Sequence, residues 1–183
     1  HGFGGTLAHR VAKASDGVFS AVIMVGSTAL SYEDYLLGHS NLSSHTADEL
    51  KAYQDTLDKL SKMKEQTALE NTETVLGHSV YYFWELQKTN NYELIRKLRL
   101  PTYIVQGKKD PLVPENEGWR QYNNKIGEGV KYVTYRSFPG LNHVLMSDSS
   151  TDAYGLPQYT ENATLDISAG RSIGQWILSL KST

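Results

Sequence analysis

The sequence contains no cysteine and no long hydrophobic run. The lack of cysteine excludes disulfides, thiolate zinc sites and a cysteine nucleophile within these 183 residues. No stretch approaches the roughly 20 apolar residues that a membrane-spanning helix needs, so we expect no membrane span. Neither sign of charge dominates, because 18 Lys+Arg face 20 Asp+Glu and the formal net charge is −2. The chain therefore lacks the basic footprint that is typical of a nucleic-acid-binding protein.

The length and the first residues bear on how complete the fold is. A chain of 183 residues is long enough for one domain with a substantial hydrophobic core. It has no initiator Met and opens on His1-Gly2-Phe3-Gly4-Gly5, which resembles the interior of a motif. No secretory signal is visible. We therefore expect a fragment of a larger fold, and the compartment of the parent protein stays open.

Strand-like and helix-like patterns alternate along the chain, which indicates an α/β fold with a parallel sheet. Short apolar runs predict strands at 18–25, 102–106 and 130–137. Helical spacing predicts helices over 6–15, 115–126 and 164–180. The last helix is expected to dock through one apolar side, formed by Ile167, Ile173, Trp176, Ile177 and Leu180.

Residues 27–92 differ from their surroundings, because they are polar and contain no convincing strand. Thr46 and Glu49 form a capping-box signature before a long helical pattern, and a second helix is predicted over 79–88. Two interpretations stay open: a helical insertion that covers a site, or a plain helical connection in an α/β layer. In the second helix, Tyr81 and Trp84 either line a substrate pocket or form the packing face of the helix.

Polar residues follow two of the predicted strands, at the edge where open parallel sheets bind ligands. Asp110 follows the strand 102–106, and His143 follows the strand 130–137. Each is ambiguous alone, because an Asp before Pro usually makes a turn and a lone loop histidine more often packs. Together they suit an orienting carboxylate and a general base. Their side chains must then meet within about 2.6–3.2 Å, with the other imidazole nitrogen toward residue 2.

The first five residues fit the glycine-rich turn of a nucleophile elbow, G-x-S-x-G, which precedes a helix. Aligning Gly4 with the last glycine of that motif places the nucleophile position at residue 2, which is Gly2. Glycine has no oxygen to acylate, so this chain cannot form an acyl-enzyme. An engineered change, a natural non-catalytic protein and a truncated chain are the three explanations that stay open.

These features together resemble the α/β-hydrolase family, and in particular its bacterial esterase and acyl-hydrolase branch related to dienelactone hydrolases and serine peptidases. The resemblance rests on residues 1–5, 101–114 (PTYIVQGKKDPLVP) and 138–143 (FPGLNH), in the family's chain order Ser…Asp…His. It covers the second half of that fold only. The resemblance implies that the three predicted strands are adjacent, that 27–92 is a helical lid, and that the missing N-terminal half completes the fold.

The resemblance also implies roles for single residues. Asp110 would be the triad acid, His143 the general base and the Phe3 backbone N–H an oxyanion donor. The substrate would be a small carboxylic ester or thioester, and no metal or organic cofactor is needed. The histidines outside the motifs predict no zinc site, because no two of them share helical metal-site spacing. The alternative function is a non-catalytic binding protein that uses the same pocket.

Overall fold

A computed structural model describes residues 1–31, 34–35, 46–60, 62–75, 77–88, 90–147 and 164–180. The chain divides into two compact units, of which the first combines His1–Ala29 with Asn91–Thr183 and the second is Leu30–Asn90. The second unit lies inside the segment 27–92 that the sequence sets apart. Among the described helices, none is long and apolar enough to cross a membrane.

The elements alternate between helices and short strands. In chain order they are α1 (Gly2–Ala14), β1 (Val22–Val25), α2 (Ala47–Leu60), α3 (Glu65–Glu70), β2 (Thr74–Val75), β3 (His78–Ser79), α4 (Val80–Gln87), α5 (Asn91–Leu98), β4 (Thr102–Gly107), α6 (Trp119–Ile126), β5 (Val133–Phe138) and α7 (Ile167–Ser179).

The first unit is built on a parallel sheet with the strand order β1-β4-β5. Val22 pairs with Thr102, and Thr102 pairs with Val133, so the carboxyl ends of the three strands lie at one edge. The parallel α/β sheet is as predicted, but two strands begin later than expected. The strand β1 begins at Val22, and Val18, which was predicted to belong to it, is 77% exposed. The strand β5 begins at Val133, because the residues before it form a turn in which Val133 N donates to the Val130 carbonyl oxygen.

Both faces of this sheet are covered. Successive side chains of the central strand β4 point to opposite sides, and all of its residues are buried. Ile104 packs on one face with residues of α1, α5 and α6, including Ala12, Ile95 and Tyr122. Tyr103 and Val105 pack on the other face with Ala169 of α7 and with residues that follow β5. The sheet is therefore the middle layer of the first unit.

The docking face predicted for α7 is only partly right. Ile173 and Trp176 pack against the sheet, but Ile167 is 70% exposed and Ile177 is 42% exposed. Tyr103 sets the rotation of the helix, because its ring stacks on Trp176 at 5.2 Å between centroids. Its hydroxyl also lies 2.6 Å from Ser172 Oγ. The contact stripe therefore passes through Ala169 and Ser172, two small residues that an apolar pattern does not reveal.

Tyr122 ties together the two places where the chain leaves and re-enters the first unit. Its hydroxyl donates to the Thr28 carbonyl oxygen (2.6 Å) and accepts from Asn91 Nδ2 (2.9 Å). Burial of this phenol raises its pKa well above the ordinary value, so Tyr122 stays neutral and keeps donating. The ends of the connection to residues 30–90 are thus fixed to one side chain.

The second unit has a core of its own, formed by Leu57, Leu60, Val75, Val80 and Phe83. The predicted capping box is confirmed, since Thr46 N donates to Glu49 Oε2 (2.7 Å) and Glu49 N donates to Thr46 Oγ1 (3.3 Å). The expectation that this segment contains no strand is wrong. The antiparallel pair β2-β3 is only two residues long on each side, too short for a periodic pattern.

A buried histidine of α1 contacts the first residue of the central strand β4. His9 of α1 is fully buried, and its Nε2 lies 3.0 Å from Thr102 Oγ1. Its Nδ1 has no hydrogen-bond partner among the residues that the structure describes. Burial lowers the pKa of His9 to about 4, because the charged ring would lose its hydration.

We expect this histidine to make the protein less stable in acid. Between pH values of about 4 and about 6.5 the unfolded chain binds more protons than the folded one. The contribution of neutral His9 to the free energy of unfolding is therefore complete above pH of about 6.5, and it is lost as the pH falls toward about 4. The loss by pH of about 4.5 should be roughly 2–3 kcal/mol.

This effect is measured by denaturant unfolding of the wild type and of His9→Gln, each at pH of about 7 and at pH of about 4.5. His9→Gln should show a smaller fall in the free energy of unfolding, because an amide does not titrate. His78→Gln, at a partly exposed histidine, is the control and should behave as the wild type. An unchanged pH dependence in His9→Gln would contradict the assignment.

Candidate active site

Two neighbouring loops leave the carboxyl ends of β4 and β5 and are joined by backbone hydrogen bonds. Lys108 N donates to the Phe138 carbonyl oxygen, and Lys109 N donates to the Leu141 carbonyl oxygen, both at 2.9 Å. These bonds continue the pairing of the two strands beyond the sheet. Residues 110 and 143 are brought together because their loops leave the sheet side by side.

Asp110 and His143 form a buried hydrogen-bonded pair. His143 Nδ1 lies 2.8 Å from Asp110 Oδ2, which is within hydrogen-bonding range. Asp110 is 6% exposed and His143 is 7% exposed, so water screens the pair little. A carboxylate only accepts, so Nδ1 carries the proton and Nε2 of the neutral ring is the basic nitrogen. The pair has the arrangement of a general base with its orienting acid.

The two oxygens of Asp110 have separate partners. Oδ1 accepts from the backbone N–H groups of Leu112 and Val113, both at 2.9 Å, while Oδ2 accepts from His143. The turn role that is common for an Asp before Pro is therefore present together with the pairing role. The turn holds the carboxylate still, so that His143 meets an acceptor already in place.

Gln106, the buried residue before Gly107 in β4, holds the loop of Asp110 through two hydrogen bonds. Its Oε1 accepts from the Trp119 backbone N–H at 2.9 Å, and its Nε2 donates to the Val113 carbonyl oxygen. Both ends of the loop are thus fixed to one side chain. Sequence reasoning missed this residue, since a glutamine inside an apolar strand is its only signal.

The turn that carries His143 is shaped by the residue before it. Asn142 Oδ1 accepts from the backbone N–H groups of Val144 (3.1 Å) and Met146 (3.0 Å). Leu145 takes a left-handed conformation (φ 61°), which is uncommon for a branched residue. His1 adds a further contact, donating from Nε2 to the His143 carbonyl oxygen at 3.0 Å. The imidazole is therefore held at its ring and at its backbone.

Residue 2 faces the basic nitrogen of His143. Gly2 is the first residue of α1 and has a left-handed backbone (φ 54°), the region that favours glycine. A Cβ atom at this position would lie 3.3 Å from His143 Nε2 and 3.8 Å from Cε1. The structure thus brings together three of the predicted site residues, Gly2, Asp110 and His143. Phe3 follows in the first turn of α1, where an oxyanion donor was predicted.

The two aromatic residues predicted to contact substrate belong to the second unit. Tyr81 and Trp84 of α4 stack on one another with ring centroids 5.7 Å apart. Trp84 Nε1 donates to the Met63 carbonyl oxygen (2.9 Å), and Lys88 Nζ lies 3.9 Å from the Trp84 ring. Both side chains are partly buried. These contacts are packing within the second unit, and the role in substrate binding stays a prediction.

Gly26, for which the sequence predicted no role, is a second close neighbour of His143. It follows β1 directly and also has a left-handed backbone (φ 56°). A Cβ atom there would lie 3.0 Å from both Cε1 and Nδ1 of His143, closer than ordinary van der Waals contact. Only glycine leaves room for the imidazole at this point. The available signal was a glycine at the carboxyl end of a buried strand, where sites form.

Within the described ranges, no group of three or more His, Asp or Glu side chains is arranged to hold a metal ion. His39 and His45, considered for zinc from the sequence, lie outside those ranges. Comparison of the sequence with protein-family models finds no match, and comparison with curated proteins finds none either. The functional interpretation therefore depends on the geometry of Gly2, Asp110 and His143.

We expect Gly26→Ala to displace the imidazole and to weaken its bond to Asp110. The matched control is Gly17→Ala, since Gly17 also has a positive φ (83°) but open space around a Cβ. Both changes should cost about 1–2 kcal/mol through the left-handed backbone. Only Gly26→Ala should move or broaden the proton NMR resonance of the His143 Nδ1–H, assigned by its absence from His143→Gln. An unshifted resonance in Gly26→Ala would show that the ring is not confined there.

Proposed function

We propose that this chain is part of a carboxylic ester hydrolase of the α/β-hydrolase type, in which Gly2 occupies the nucleophile position. The observation that carries the proposal is the alignment of Asp110, His143 and residue 2. One imidazole nitrogen is bonded to a buried carboxylate, and the other faces the first residue of a helix. This is the order acid, base and nucleophile of the Ser-His-Asp triad.

The chemistry of the pair supports acyl transfer to or from an ester or thioester. His143 Nε2 can accept a proton from an attacking group, and the positive charge then forms next to Asp110 Oδ2. Since both residues are buried, the attraction between imidazolium and carboxylate is screened little. The same nitrogen can return the proton to the leaving alcohol or thiol.

The position of residue 2 supports an elbow in particular. Gly2 is the first residue of α1 and has a left-handed backbone, and in that motif the nucleophile is exposed at a strained turn where a helix begins. In this proposal the Phe3 N–H, next along the helix, donates to the oxyanion. The amino end of a 13-residue helix favours negative charge at this place.

Further parts of the proposal follow from the family resemblance. They are a lid role for residues 27–92, substrate contact by Tyr81 and Trp84, and additional strands from an N-terminal half. The last point has support in β1, which lies at an edge of the sheet among the described residues. Val22 and Met24 are buried and Ile23 and Val25 partly so, the character of an interior strand.

A second candidate function is a binding protein without catalysis. The observation that favours it is Gly2 itself, because glycine supplies no oxygen for an acyl-enzyme. Such a protein would hold an ester or acyl ligand in the same pocket and release it unchanged.

Restoring a nucleophile separates the two functions. In the whole protein, Gly2→Ser should raise the turnover of activated aryl esters by roughly 10³-fold or more, because triad members act as a unit. The new Cβ would be 3.3 Å from Nε2, so a shift of a few tenths of an ångström in the ring admits the hydroxyl. The gain should be accompanied by a loss of about 1–2 kcal/mol in stability, from the left-handed serine.

The matched control is Gly4→Ser, two residues further along α1, where a Cβ meets no atom within 4 Å. It should show no gain. Adding His143→Ala to Gly2→Ser should remove the gain, and adding Asp110→Ala should remove somewhat less of it. If Gly2→Ser is no faster than the unaltered chain on esters of several acyl lengths, the hydrolase proposal fails and the binding function is favoured.

A further inference from the structure

We propose that Gly2 gives an external nucleophile access to His143, so that this chain hydrolyses esters by direct attack of water, without an acyl-enzyme. The inference rests on the proposed ester hydrolase function and names the nucleophile that a serine-free site would use. It follows from the one difference between this site and a triad, which is the missing side chain at residue 2.

The distances at residue 2 leave room for one small oxygen or nitrogen nucleophile. The position of a Cβ at Gly2 is 3.3 Å from His143 Nε2, slightly beyond the range of an ordinary hydrogen bond. A water oxygen near that position can therefore hydrogen-bond to Nε2. Residue 2 has no side chain that would occupy this position.

The tautomer that the bond to Asp110 selects suits this role. Nδ1 donates to Asp110 Oδ2, so the lone pair of the neutral ring is on Nε2. The bond from Nδ1 to Asp110 Oδ2 orients the ring, while His1 and the Asn142 turn hold the backbone that carries it. An oriented base of this kind is the main requirement of general-base catalysis.

The step balances with water alone. One O–H bond of water breaks and its proton moves to His143 Nε2, while the water oxygen bonds to the ester carbonyl carbon. The carbonyl π electrons move to the oxygen, and their return breaks the bond to the leaving alcohol. That alcohol oxygen takes the proton from Nε2, which leaves a carboxylic acid, an alcohol and a neutral imidazole.

The first arm of the test measures hydrolysis of p-nitrophenyl acetate by the whole protein and three variants. The unaltered chain should be about 10²-fold or more faster than His143→Ala, in line with the usual contribution of a general base. Gly2→Ala should lose about tenfold or more, because its methyl group occupies the position of the nucleophile. Gly17→Ala, which also places an alanine at a positive φ (83°) but with no atom within 4 Å of the new Cβ, should retain the wild-type rate.

The second arm identifies the attacking group by adding hydroxylamine. With an external nucleophile in a single step, the rate of p-nitrophenol release should rise with hydroxylamine concentration, and acetohydroxamate should form. Mass spectrometry during turnover should find no acetyl group on the unaltered protein. In Gly2→Ser, by contrast, p-nitrophenol should appear in a burst with an acetyl group on residue 2.

The outcomes separate this inference from the proposed function. If the unaltered chain is no faster than His143→Ala, or Gly2→Ala is as fast as the unaltered chain, direct attack at residue 2 is wrong. The hydrolase proposal survives that result provided that Gly2→Ser is active. If neither the unaltered chain nor Gly2→Ser hydrolyses the ester, both are wrong. An acetyl group on the unaltered protein overturns the single-step route alone.

Discussion

The hydrogen bond between His143 Nδ1 and Asp110 Oδ2 is the contact on which the functional account depends. It joins residues 33 positions apart, it is 2.8 Å long and both partners are buried. Much of the first unit serves to make it possible. Parallel pairing of β4 and β5 places the two loops side by side, and backbone hydrogen bonds then hold the loops together. A buried carboxylate without this partner would be costly, so the pair is also a constraint on folding.

The surroundings of His143 are as specific as its bond to Asp110. The ring lies close to two glycines with left-handed backbones, Gly26 at the end of β1 and Gly2 at the start of α1. At Gly26 the absence of a side chain makes room for the ring itself. At Gly2 the absence of a side chain leaves space next to the basic nitrogen, Nε2 of His143. These two glycines differ in consequence, because the first confines the base and the second decides what the base can act on.

The sequence predicted the parts of this site that follow from strand ends and missed those that follow from packing. Asp110 and His143 were found because parallel strands deliver their loops to one edge. Gly26 was missed because its close approach to the ring is a tertiary contact with no local pattern. The predicted face of α7 was partly wrong for a related reason: stacking of Tyr103 on Trp176 fixes the helix rotation, and periodicity does not report that contact. The pair β2-β3 is too short to leave a pattern.

Covalent labelling of residue 2 tests the central claim, that His143 and Asp110 form a base directed at this position. A fluorophosphonate is added to Gly2→Ser, to Gly4→Ser and to Gly2→Ser with His143→Ala, and the adduct is located by peptide mass spectrometry. The account predicts one adduct, on the serine introduced at position 2, that disappears when His143 is removed. Equal labelling of Gly4→Ser, or labelling at position 2 that does not need His143, would contradict it.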